Sequence, residues 1–323
     1  MPKNLGLYND NLSIPRKQDI DNVQDQIDTL STIKLTTPEG LQGQILGYIN
    51  DNIVDAIDLP SSGSGKRTCR FVVGTSTAGW TEKDCDYLCD GIADEVEINK
   101  AIQDLPSGGG EIVILDGTYN LSSTVLVNKS NTAIKGNGKS SRIFADKVMI
   151  CVSIRACENI TVENLFVNSI ENIQPGIWVY QSKYVIVASN SIEFSRNGVQ
   201  IQDSSNCIVC NNMIRECNNG VNVIDSSNCI VSSNIIESGA LNGVYSAGQN
   251  NIISCNIIKK MQQAGIMLDG YGHLVYGNMI IDPIRYSIFI SQGDSNIIIG
   301  NYFIGKNVTD SGSNNTIINN KYE

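Results

Sequence analysis

Three aspartates in the second half of this 323-residue chain are spaced so that carboxylates could stand side by side. Asp203 and Asp225 are 22 residues apart, each after a short apolar run, and Asp269 lies two further steps of 22 along, with Ala247 between. Carboxyl groups held roughly 5–10 Å apart are what glycoside hydrolysis needs, one as acid and the other as base or nucleophile. His273, the single histidine, follows Asp269 in the segment GYGH. Asp203, Asp225, Asp269 and His273 are therefore the candidate catalytic residues. The competing expectation is structural. Asp203 and Asp225 each open a DSSN segment and Asp269 stands in DGYG, and Asp commonly caps the backbone of such turns. Aromatic side chains offer a different chemistry, since flat rings stack on sugars. The candidates for carbohydrate binding are Trp178, Tyr180, Tyr245 and Tyr271, with Tyr276 and Tyr286 also on the repeats. Trp178 and Tyr180 are two apart in one strand and so share a face, either as a platform or as core filling. One histidine is too few for a multi-histidine metal site and weakens a histidine-centred triad. Neither metal nor cofactor is expected.

The positions of these residues follow from a repeat. Asn164, Asn190, Asn212, Asn234, Asn256, Asn278, Asn301 and Asn320 recur at steps of 26, 22, 22, 22, 22, 23 and 19. Two residues later stand Ile192, Ile214, Ile236, Ile258, Ile280 and then Phe303; Gly176, Gly198, Gly220, Gly243 and Gly265 form another column. The apolar residues alternate at strand period over short β-branched runs. A unit of this length with no helical segment implies an all-β fold, a parallel β-helix whose rungs stack at roughly 4.8 Å. The Asn column then reads as a structural ladder. Its amides donate and accept along the coil axis, and Asn tolerates the left-handed corner that a sharp turn requires. Glu193, Arg215, Glu237 and Lys259 make a column of alternating sign, which is what an exposed stack of charges favours.

Composition narrows the partners. Lys plus Arg is 23 against 33 Asp plus Glu, a net charge of −10, so binding to nucleic acid through phosphates is not expected. No stretch of 18 apolar residues is present, so no membrane insertion is expected. The N-terminus lacks the apolar core of a secretory signal. Ten cysteines are spread along the chain. Cys207 and Cys229 share one stacked position, Cys85 and Cys89 have only a loose CxxxC spacing, and reduced, mostly buried thiols are the expectation.

Residues 1–60 look different. Ile20, Val23, Ile27 and Leu30 are spaced 3, 4, 3, a short heptad seam suited to oligomerisation. A second amphipathic stretch runs through Leu41, Ile45, Ile49, Ile53 and Ile57. The expected organisation is a helical attachment and oligomerisation region at 1–60, a linker at 61–69, an opening strand and capping helix at 70–110, and the β-helix at 111–323. The helix is expected over residues 93–105, ended by Pro106 and the glycines at 108–110.

The segment DCDYLCDGIADEVEINKAIQDLPSGGGEIVILDGTYNLSSTVLV (84–127) resembles the opening of the pectate-lyase-like superfamily of right-handed parallel β-helices. With its two cysteines it resembles phage tail-associated proteins of low-GC Gram-positive hosts, and KNLGLYNDNLSIPRKQDID (3–21) is similar to their N-terminal attachment region. The superfamily mixes lyases, hydrolases, epimerases and plain binding proteins. The GYGH segment departs from the loop of polygalacturonase-like hydrolases by lacking their paired Asp motif. No Asp cluster suited to a calcium-dependent lyase is evident. The resemblance implies a virion protein, a homotrimeric tail spike or fibre. Its N-terminus would attach to other virion proteins and its β-helix would bind host cell-surface polysaccharide. A polysaccharide depolymerase (lyase or glycoside hydrolase) and a capsid or tail decoration protein without glycan binding remain the alternatives.

Overall fold

The computed structural model describes residues 69–170 and 173–323. The N-terminal region 1–60, with Ile20, Val23, Ile27 and Leu30, lies outside the described residues. So does the expected linker except Cys69, which opens the first strand, Cys69–Thr75, and is not linker.

The chain winds as a right-handed parallel β-helix of about 10 turns with three sheets of 12, 10 and 9 strands. A typical turn contributes Ile208–Cys210 to the first sheet, Met213–Arg215 to the second and Asn219–Ser227 to the third. Alternation decides which side chains face in. Val187, Val209, Val231 and Val275 enter the core from the first sheet, Ile192, Ile214, Ile236, Ile258 and Ile280 from the second, and Val199, Val221, Val244 and Ile266 from the third, all essentially without solvent contact. The glycine column is explained by crowding at the start of the third sheet. A Cβ at Gly220 would meet Ile236 Cγ2 at 2.4 Å and the Gly243 carbonyl oxygen at 2.6 Å.

The corner between the first and second sheets carries the amide ladder. Asn212 Oδ1 accepts from the backbone N–H of Asn190, Asn234 Oδ1 from Asn212, Asn256 from Asn234, Asn278 from Asn256, Asn301 from Asn278 and Asn320 from Asn301, at 2.9–3.0 Å. Each Nδ2 also donates to a carbonyl of an adjacent rung, as Asn234 does to Val209. Asn164 is not a member. Leu165 occupies that position, and its N–H is accepted by Asn190 Oδ1 at 3.0 Å. The left-handed residue is also not the ladder Asn but the one before it: Ser189, Asn211, Ser233 and Cys255 have φ of 55–57°, and Asn164 with φ 56° belongs to that column. The ladder amides stay inside while the preceding residue makes the bend.

Glu193, Arg215, Glu237 and Lys259 stack in register on the second sheet. Glu237 pairs with Arg215 at 3.2 Å and with Lys259 at 3.1 Å.

One helix, α1 (Glu95–Asp104), serves the N-terminal end of the coil. Ile98, Ala101 and Ile102 are buried beneath it. Edge strands of a sheet expose unpaired backbone groups, and here α1 and its N-cap supply acceptors to them. Asp94 Oδ2 accepts from Asn120 N–H at 2.7 Å, Glu95 Oε2 from Ser122 at 2.8 Å and Asn99 Oδ1 from Leu126 at 2.7 Å. Among the described residues no helix is long and apolar enough to cross a membrane.

Candidate functional site

On the third sheet, the residues that alternate with the core positions form a continuous outer row. Trp178 stands in register with Gln200, Gln200 with Asn222, Asn222 with Tyr245, Tyr245 with Met267 and Met267 with Phe289. A parallel row runs from Tyr180 through Gln202 and Ile224 to Ala247. Trp178 and Tyr180 do share a face. Their ring centroids are 5.0 Å apart, and the Arg155 guanidinium lies 4.7 Å over the Trp178 ring. The next rung is amide-rich: Asn197 Nδ2 donates to Gln200 Oε1 at 2.7 Å, and Gln200 Nε2 to Gln202 Oε1 at 3.0 Å.

Beyond the amides the row opens into a cleft of about 360 Å³ lined by Asp225, Ser226, Ala247, Gly248, Gln249, Asp269, Gly270 and Tyr271. Its shape follows from two local events. First, the register of the third sheet slips between Ile224 and Ser227, a β-bulge, at Asp225, which is exposed in the left-handed region with φ 47°. Before the slip the strands pair at a spacing of 23, Val221 with Val244 through Ile224 with Ala247, and after it at 22, Ser227 with Gln249, so Ala247 does not pair with Asp225. Second, a column of serines gives way to glycine. Ser182, Ser204 and Ser226 form a hydroxyl ladder, with Ser204 Oγ accepting from Ser182 N–H at 3.1 Å and Ser226 Oγ from Ser204 at 3.0 Å. From Gly248 on there is no room for a side chain. A Cβ at Gly248 would lie 1.9 Å from Ser226 O, and one at Gly270 would lie 1.9 Å from Gly248 O. The bare backbone forms the cleft floor.

The structure brings Asp225, Asp269 and Tyr271 together in the cleft with Tyr245 bonded to Asp269, and leaves Asp203 and His273 out of its lining. Asp269 Oδ2 accepts a 2.6 Å hydrogen bond from Tyr245 OH, while Asp269 Oδ1 is buried without a partner. Burial first, then the Asp269 carboxylate, hold the Tyr245 hydroxyl well above its ordinary range, so the proton stays on the phenol and the carboxylate is the acceptor. Asp225 is exposed and accepts no hydrogen bond among the described residues. It stands two rungs from Asp269, roughly 10 Å at strand spacing, close to the upper separation for an acid and a water-activating base. Asp203 is one rung further and does not line the cleft. Neither Asp203 nor Asp225 caps its turn as the DSSN segments suggested. The hydroxyls of Ser204 and Ser226 do so, donating to Gln202 O and Ile224 O at 2.7 Å.

His273 is the clearest correction. It is buried at 1 % exposure, in the core beneath the cleft. Nδ1 accepts from Asn251 N–H at 3.2 Å, and Nε2 faces Ser246 Oγ at 3.5 Å. Burial pushes its pKa down to about 4. A neutral ring with Nδ1 engaged as acceptor carries its proton on Nε2, inside the core, and serves no acid–base role in the cleft. Tyr276 lies on the first sheet, and Tyr286 stacks on Phe289 at 4.7 Å. Gly248 and Gly270 line the cleft, and aspartate spacing did not reveal them. The replacement of the serine at 226 by glycine at 248 and 270 was their only visible signal.

A family model described as periplasmic copper-binding protein (NosD) matches residues 130–323, well over half of the chain. This chain belongs to the NosD family. Among the described residues no set of His, Cys and carboxylate groups in the matched segment fits the copper site which that family's description implies. Both nitrogens of His273 are engaged inside the core. Cys207 and Cys229 are buried, and their thiols donate to Ser205 O and Ser227 O at 3.4 Å. Among the described residues only Cys89, Asp94 and Glu97 bring three His, Cys or carboxylate ligand atoms within 4.8 Å. These precede the NosD match, and both Asp94 oxygens already accept backbone N–H groups. No curated protein matches this NosD-family chain in sequence.

Solved structures share its fold at low identity. Tailspike protein 2 of bacteriophage CBA120 aligns at TM-score 0.62 and 14% identity over 73% of this chain and 41% of its own. ORF18 of Geobacillus virus E2 aligns at 0.60 and 14% over 78% and 62%. An alginate lyase from Paenibacillus aligns at 0.55 and 12% over 79% and 97%. This chain thus spans less than two thirds of the two viral structures.

Proposed function

We propose that the outer face of the third sheet, from Arg155 and Trp178 to Tyr271, binds a polysaccharide, and that the protein is a tailspike-like virion component using this face on the host surface. The observation that carries the reading is a line of unsatisfied polar atoms along the face. Trp178 Nε1, Asn222 Oδ1 and Asp269 Oδ1 are buried without hydrogen-bond partners. Asn222 is only 7% exposed. Buried polar groups without partners are costly, and sugar hydroxyls donate and accept at such positions while pyranose faces stack on Trp178 and Tyr180. Tailspike and alginate lyase neighbours support the reading by sharing the scaffold. Homotrimer formation through Ile20, Val23, Ile27 and Leu30, and attachment to other virion proteins by the same region, belong to this proposal.

A second reading, polysaccharide cleavage, is favoured by one observation: Asp225 and Asp269 open into a single cleft, with Tyr245 orienting Asp269. One carboxyl of the pair would act as acid and the other as base. The test separates the two. Oligosaccharides from the host surface polymer are incubated with wild type, Asp269→Asn and Trp178→Ala. Release of reducing ends that Asp269→Asn abolishes marks a depolymerase. Binding lost in Trp178→Ala without any cleavage by wild type marks a receptor-binding protein. Absence of both sinks the proposal.

A further inference from the structure

A second concavity lies on the outer face of the second sheet, near the N-terminal end of the coil. It measures about 690 Å³, and its lining includes Thr118, Asn120, Lys139, Ser140, Arg142 and Phe166. Arg142 is in register with Thr118 on one side and Phe166 on the other. Its guanidinium lies 4.5 Å from the Phe144 ring centroid and 5.5 Å from that of Phe166. Its Nε donates to Asn168 Oδ1 at 2.9 Å. The rings hold the guanidinium without neutralising it, and the Asn168 amide is uncharged. Arg142 has no ion-pair partner among the described residues. Lys139 Nζ stands 5.4 Å from the same Phe166 ring. Its one acidic contact, Glu193 at 3.6 Å, is long, and Lys139 is 58% exposed, so that pair holds it weakly.

Two cations are thus gathered in one cleft of a chain whose net charge is −10. An arginine whose plane is fixed by aromatic contact presents its outer N–H groups as a fork that matches a carboxylate or phosphate. We propose that this cleft is an oxyanion site, taking a carboxylate or phosphate carried on a sugar polymer. Arg142 supplies the two-pronged contact, Lys139 the second charge and Thr118 a hydroxyl donor, while the Ser140 hydroxyl donates to Asn137 O at 3.0 Å. The site is on a different sheet from the aspartate cleft and does not depend on it.

The full chain is titrated calorimetrically with trigalacturonate, with glycerol 3-phosphate and with neutral maltotriose. Binding of either anion but not of maltotriose is the expected result, the two arms deciding between uronate and phosphate. Arg142→Gln should weaken that binding at least tenfold and Arg142→Lys by less, since charge remains but the fork is lost. Lys139→Gln, on an exposed turn where folding is not at risk, should weaken it severalfold. Raising sodium chloride from 50 to 300 mM should weaken it further, and Lys259→Ala, which lines neither cleft, should leave it unchanged. Failure of both anions to bind, or undiminished binding in Arg142→Gln and Lys139→Gln, overturns the proposal and leaves the third-sheet reading intact.

Discussion

His273 Nδ1 accepts the backbone N–H of Asn251 at 3.2 Å, the bond an Asn side chain makes at the neighbouring rungs of the same file. Asn251 Oδ1 accepts from Cys229, Asn296 Oδ1 from His273 and Asn315 Oδ1 from Asn296. The imidazole is a substitute amide in a second ladder, and a substitute that titrates.

The consequence is an acid-sensitive fold. The folded-state pKa of His273 is about 4 against 6.5 ordinarily. Above pH 6.5 both states are neutral and nothing is lost. As pH falls from 6.5 to about 4 the unfolded chain takes up the proton first, and stability drops by about 3 kcal/mol. His273→Asn should keep the ladder and remove this component. Urea unfolding of both proteins from pH 4 to 8 checks it, as the difference between the two curves.

Asn234→Ala strips the acceptor from Asn212 N–H and the donor from Val209 O. Two buried backbone groups lose partners, which costs about 3 kcal/mol. Asn164→Ala touches no ladder bond and only places alanine at φ 56°, a cost of about 1 kcal/mol. Thermal denaturation should rank the two variants in that order.

These contrasts show what the sequence could and could not convey. The period of 22, the inward columns and the charge stack at Glu193 to Lys259 were legible because stacked rungs force like residues into register. Asn164 was misread because its corner column and the ladder column both favour Asn and differ by one residue. The turns before Asn164, where Thr118, Lys139 and Arg142 lie, carry no visible repeat, so the basic cleft was invisible. Of Asp203, Asp225, Asp269 and His273, the structure places Asp225 and Asp269 in the lining of one cleft, for reasons that the spacing of 22 does not contain. A bulge at Asp225 and glycine at 248 and 270 shape that cleft; the bulge leaves no periodic trace, and the glycines show only as a change of residue type in the column of Ser182, Ser204 and Ser226.

Gly270→Ala should damage the cleft directly. The new Cβ would stand 1.9 Å from Gly248 O and 2.5 Å from His273 Nε2, so the backbone must shift. Backbone displacement and misplaced core groups cost several kcal/mol, about 2–4 by analogy with overpacked cores. Ala247→Gly, on the adjacent rung and adding no atoms, should cost no more than about 1 kcal/mol. Parallel melts of the two variants decide it.

The central claim is that the outer face of the third sheet carries the ligand, and an affinity series on that face tests it most directly. Oligosaccharides of the host surface polymer are titrated into wild type, Trp178→Ala, Asn222→Ala and the distant surface variant Lys259→Ala, each first shown to melt as a folded protein. The account expects Kd to rise at least tenfold for Trp178→Ala and severalfold for Asn222→Ala, with Lys259→Ala unchanged. Wild-type affinity in both third-sheet variants would contradict it.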